Sequence, residues 1–183
     1  MKTFLVIALW ALLLSCNQKE ANKDNTTSMA KDSMGMAIQS PYPIGYSSNF
    51  IMGNPKNAEN LLQLWKDWEN GNLSAHSNFF ADSVTIFFAD GSSIHGSRDS
   101  VMAGAQRERD MLSSSVVNVD AIIPVKSVDK NENWALIWGR EVDTYKNGKK
   151  DSTAIQETWR FNKEGKADLF YQFKAAAAPP KKK

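Results

Sequence analysis

The chain has little to offer metal, disulfide or imidazole chemistry: one cysteine, Cys16, and two histidines, His76 and His95, in 183 residues. A lone cysteine excludes an intrachain disulfide. The two histidines stand too far apart, with no ligand-type spacing around them, to make a metal site. Neither a glycine-rich phosphate loop nor a dinucleotide fingerprint is present. The serines at 113–115 sit in no nucleophile elbow, and no cofactor is expected. Charge of one sign is missing too. The formal charge is +2, and setting aside Lys2 and the three terminal lysines leaves −2. Nucleic acid is therefore not an expected partner, since such binders carry a basic stripe. The longest apolar run, residues 4–14, has 11 residues, well short of the roughly 20 that span a bilayer.

That run is what a signal peptide needs. Lys2 supplies a positive start, and FLVIALWALLL supplies the apolar middle. It ends in Leu13-Leu14-Ser15-Cys16, which resembles the bacterial lipobox, where the cysteine takes the lipid. Leu14 is bulkier than is usual there. Residues 1–16 thus read as a lipoprotein signal with its lipidated cysteine. The expected location is the cell envelope, with lipid on Cys16 tying the chain to a bacterial membrane. Residues 17–48 read as a flexible tether: the first half is Asn-, Lys-, Asp-, Thr- and Ser-rich and cannot offset its ordering entropy by burial. Tyr42, Tyr46, Phe50 and Ile51 are apolar enough to dock on a domain edge. Residues 175–183 read as a disordered basic tail.

One domain is expected over residues 49–174. Asn54 and Pro55 read as N-cap and first helical residue, and Ala58, Leu61, Leu62, Trp65 and Trp68 mark an apolar face that Gly71 ends. A short second helix is expected around residues 74–80, a strand at 84–88, and a third helix, capped by Ser97, at about 98–112. Val101, Met102, Ala105 and Leu112 would face inward. Long strands follow at 116–128, 134–145, 153–161 and 167–173, and Asn147-Gly148 signals a hairpin. Helices first and an antiparallel sheet after them give an α+β fold.

This order resembles the nuclear-transport-factor-2-like, or SnoaL-like, superfamily. The resemblance rests on residues 65–88, on Ile94-His95-Gly96 and on residues 160–166 (RFNKEGK). It implies a conical fold: about three N-terminal helices on a strongly bent sheet, with a pocket inside. The superfamily includes isomerases, cyclases, dehydratases and non-enzymatic adaptors, so it does not give function. Its ketosteroid isomerases use an aspartate base, a tyrosine and a protonated aspartic acid. Alignment puts Phe88 at the base, Leu64 at the tyrosine and Glu157 at the acid. Steroid isomerisation by that mechanism is not expected.

A two-residue turn at Asn147-Gly148 would set Glu157 opposite Trp138 and put Arg140 diagonally beside it on an apolar face with Trp159. Two readings stand for the Arg140–Glu157 pair: a buried ion pair, or pocket groups that grip an anionic ligand or move a proton. The candidate ligand-binding residues are Trp138, Arg140, Glu157, Trp159 and Phe88. Glu157 and His95 are the catalytic candidates. Three functions remain open: binding of a small, largely apolar molecule; an isomerase, cyclase or dehydratase using Glu157; and a dimeric interaction module. The family register through Glu164-Gly165 points Phe170 and Gln172 into the cone and leaves Tyr171 and Phe173 outside, where a homodimer would bury them.

Overall fold

The computed structural model describes residues 38–175. The signal peptide, Cys16, the tether up to residue 37 and the tail beyond 175 lie outside the described residues. Seven strands and two α-helices follow in the order β1 (Phe50–Met52), α1 (Pro55–Asn70), β2 (Phe80–Phe88), β3 (Ser93–Ser97), α2 (Arg98–Arg109), β4 (Leu112–Ser127), β5 (Glu132–Tyr145), β6 (Lys150–Phe161) and β7 (Ala167–Lys174). They form one strongly curled, unclosed sheet in the order β1-β4-β5-β6-β7-β2-β3. The expected α+β class holds, with two differences. The short second helix is a single 3-10 turn, Ser77–Phe79. The sheet is not wholly antiparallel, because β2 runs parallel to β7. That parallel seam joins the helical half of the chain to the hairpins.

Helix α1 starts where its sequence says. The Asn54 side chain accepts from the Lys56 N–H at 2.9 Å, Pro55 occupies the first turn, and Gly71 closes the helix at φ 74°. Its buried face carries Ala58, Leu61, Leu64 and Trp65, whereas Leu62 is exposed. The α2 helix is shorter than expected. It stops at Arg109, and Leu112 is buried as the first residue of β4. Serines 113–115 are therefore strand. Arg109 turns back under α1 and donates to the carbonyls of Trp68 (2.6 Å) and Glu69 (2.8 Å). A guanidinium thus satisfies the orphan acceptors at the α1 C-terminus, where positive charge is favoured.

The β5–β6 hairpin departs from the expected register by one residue. Tyr145 pairs with Lys149 around a three-residue loop, with N–H···O bonds at 2.8 Å and, from Gly148 to Tyr145, 2.9 Å. A two-residue type I′ turn needs positive φ at both central residues. Here Gly148 alone is left-handed, at φ 83°, and Asn147 is not. Glu157 consequently pairs with Ile137, not Trp138. A slip of one residue exchanges the faces of a strand. The inner face of β6 is as expected, with Ile155, Glu157, Trp159 and Phe161 buried. On β5 it is Ala135, Ile137 and Glu141 that turn inward. The core joins these residues to Leu61, Leu64, Trp65, Phe80, Val84, Ile86, Val101 and Phe170.

The segment before β1 is docked rather than loose at its C-terminal end. Tyr46 packs edge-on against Trp134, with ring centroids 6.2 Å apart, and its hydroxyl donates to Glu132. Ser47 and Ser127 both donate to Asp129. β1 then pairs with the end of β4 and covers an otherwise free sheet edge.

Candidate functional site: a cavity with one clamped carboxyl

A cavity of about 540 Å³ opens between α1, α2 and the concave face of the sheet. Its walls are mainly aromatic and aliphatic, among them Trp65, Phe80, Phe88, Trp159 and Phe170. Trp159 and Phe170 stack with centroids 4.0 Å apart and planes 6° from parallel. The exposed lining residues, Ile94, Ser100, Arg107, Glu108, Met111 and Lys174, form the rim.

Glu157 is the polar centre of this wall. It is only 5 % exposed. One carboxyl oxygen, Oε2, accepts from the indole N–H of Trp65 at 2.7 Å and from that of Trp159 at 2.8 Å. The other, Oε1, accepts from the Gln172 amide at 2.8 Å. Burial raises the carboxyl above its ordinary value of 4.5, against the pull of Gln172, Trp65 and Trp159. Three secondary elements hold the group: Trp65 comes from α1, Trp159 from Glu157's own strand, and Gln172 from its β7 register partner.

A second carboxyl, Glu141, is also buried against the cavity. It accepts from the Trp68 indole N–H, from the Ser115 hydroxyl at 3.2 Å and from Lys174 Nζ at 3.3 Å. Asp143, two residues on, is raised by burial. Asp67 lies at the cavity edge and meets His76 Nδ1 at 2.8 Å and the Gln63 amide at 3.2 Å. In the sequence Trp68 belongs to the α1 apolar face, and the expected hairpin register, which sets Arg140 on the Glu157 face, leaves Glu141 on the opposite one. The Glu141 error follows directly from the hairpin register.

The expected residues separate into two groups. Phe88, Leu64 and Glu157, the three positions matched to the isomerase residues, all line the cavity, as does Trp159. Arg140 and Trp138 do not. Arg140 is exposed on the convex side, where it donates to Ser152 at 3.3 Å, and Trp138 is 40 % exposed on the same side. No Arg140–Glu157 pair forms, because the two side chains leave opposite faces of the sheet. His95 is exposed on β3, bonded to Thr85 at 2.9 Å; its neighbour Ile94 is the residue that lines the cavity. A general base at His95 would therefore point away from a ligand. The inward Phe170 and Gln172 and the outward Tyr171 and Phe173 match the register carried over from the resemblance.

No protein-family model and no curated protein matches this sequence. Solved structures do. An NTF2-like protein of unknown function from Burkholderia pseudomallei is 19% identical, with a TM-score of 0.51, over 63% of this chain and 88% of that one. The fold is nuclear-transport-factor-2-like. A SnoaL-like polyketide cyclase candidate from Shewanella denitrificans gives 11% identity and a TM-score of 0.55, covering 67% of this chain and 92% of its own. The epoxide hydrolase/cyclase-like enzyme SalBIII gives 12% and 0.52, covering 67% and 92%. Identities this low establish the NTF2-like architecture alone.

Proposed function

We propose that this chain is a cell-envelope lipoprotein, held to a bacterial membrane by lipid on Cys16, whose conical cavity binds a small, largely apolar molecule. The observation that carries the binding half is the cavity of about 540 Å³, walled by aromatic side chains around one clamped carboxyl. Binding pockets fall in this range and share this character: mostly apolar, with few polar groups in fixed positions. A domain that needed only stability would gain by filling such a space, since voids cost packing energy. The envelope half rests on the sequence of residues 2–16.

Native mass spectrometry of protein purified from membranes tests the binding half. A small molecule should co-purify, and Met102→Trp, which fills the cavity from α2, should exclude it. Ligand-free protein that also fails to take up any apolar probe would overturn the proposal.

The hydrogen bonds at Glu157 favour a second reading, an enzyme of the isomerase, cyclase or dehydratase kind. A buried carboxyl held above its ordinary range by burial is suited to accept and return a proton. Glu157 would work without the second carboxylate of the isomerases, since Phe88 holds that place. The exposed apolar residues of the convex face support a homodimer as the assembled form.

A further inference from the structure

The charges around the cavity do not cancel, and the imbalance lies at Glu157. All three of its partners donate N–H, and an indole N–H can do nothing else. Oε2 already takes two donors, and Oε1 takes one, which leaves Oε1 with room for one more. None of these partners brings a positive charge. Of the cations that line the cavity, Arg107 stays on the exposed rim, and neither it nor Lys174 hydrogen-bonds to Glu157. Lys174 pairs with Glu141. Arg109 spends its donors on backbone carbonyls of Trp68, Glu69 and Leu112. Asp67 meets His76. Among the described residues, then, Glu157 is a buried carboxyl with three uncharged donors and no cation in hydrogen-bond contact; Lys174, paired with Glu141, acts on it only through space.

A buried carboxylate in that position is neutralised either by a proton or by a cation from outside. The surrounding walls favour an organic cation, because aromatic faces attract positive charge. An anionic ligand would meet Glu157 inside the cavity, since Arg107 and Lys174 stand at its rim and Arg140 is on the other side of the sheet. We infer that the cavity takes a protonated amine on an apolar body, with the ammonium donating to Glu157 Oε1 and the body lying against Trp65, Trp159, Phe88 and Phe170. This inference rests on the cavity being a binding site and names the class of its ligand.

Calorimetric titration of the full chain near neutral pH with three isosteres tests it: naphthylmethylamine, naphthylmethanol and naphthoic acid. The amine should bind about tenfold or more tighter than the alcohol, which corresponds to about 1.4 kcal/mol, and the acid should bind weakest. In Glu157→Gln the amine should fall to the level of the alcohol, whose own affinity should change little. If the alcohol or the acid equals the amine in the native protein, the inference is wrong while the binding site survives. A Glu157→Gln protein that still prefers the amine overturns it equally. If none of the three binds, the inference falls together with the binding reading. Should the variant fail to fold, the order of the three ligands on the native protein still decides.

Discussion

The carboxyl of Glu157 is pulled in two directions, and burial is the stronger pull. Burial opposes ionisation while two indoles and an amide favour it, and the net shift is upward. The folded state therefore binds this proton more tightly than the unfolded chain does. Stability from this group is full below the ordinary value of 4.5 and falls as pH rises towards the raised value. Urea melts of native protein and Glu157→Gln should show this. Native protein should be the more stable at acid pH, and its advantage should shrink as pH climbs through that window. Asp143 is raised in the same sense but is present in both proteins and cancels in the comparison. An advantage that grows with pH would mean that the hydrogen bonds outweigh burial. Arg140 makes a useful contrast. It is exposed on the far face, so Arg140→Met should cost no more than about 0.5 kcal/mol. Its coupling to Glu157 in a double-mutant cycle should be near zero. Sequence alone identified Glu157 as a lone acid on an apolar strand face. It could not identify the donors, because Trp65 and Gln172 are brought to it by folding, from 92 and 15 residues away.

Single elements were legible where local chemistry dictates them and obscure where two local solutions compete. Asn54, Pro55 and Gly71 bound α1 by capping rules that need no tertiary contact. At Asn147-Gly148 the same dipeptide fits either a two-residue turn or the last two positions of a three-residue loop. Asn147 stays out of the left-handed region, so the longer loop forms and every β5 side chain changes face relative to expectation. The bulge that breaks β4–β5 pairing between Val119 and Ala121 was likewise hidden. It brings the Asn118 carbonyl so near Gly139 that a Cβ there would lie 2.2 Å from the oxygen. Two glycine substitutions should therefore differ sharply. Gly148→Ala meets open space and suffers only the left-handed penalty, about 1 kcal/mol. Gly139→Ala collides with backbone that cannot yield and should cost about 3 kcal/mol or more. Equal melting temperatures for the two variants would show that the bulge is absent in solution.

At the scale of the whole molecule, the chain combines an N-terminal sequence suited to anchoring with a cone whose convex side is unusually apolar. Anchoring gives a direct test: Cys16→Ser should release the protein from membranes or stall its processing, and a fully processed, membrane-bound variant would refute lipidation.

The convex side motivates the last prediction. Register aligns Ala121, Trp138, Gln156 and Phe173 in one row across four strands, and Ile123, Leu136, Thr158, Tyr171 and Phe87 in the next. Tyr171 and Phe87 stack at 5.0 Å, which makes the second row a continuous surface, while Trp138 and Phe173 remain 40 % and 45 % exposed. Two large apolar rings in one row on a sheet face, with no helix over them among the described residues, are costly to leave in water. A two-fold contact would bury both rows of each copy at once, since an isologous interface uses one patch twice. The expected state is thus a homodimer, and Phe173→Glu together with Trp138→Glu should yield monomer. The cavity lies on the other face of the sheet, so ligand binding by that monomer should survive. Sedimentation across a wide concentration range checks the first point and calorimetry the second. Native protein that remains monomeric at high micromolar concentration would leave these rings to some other partner.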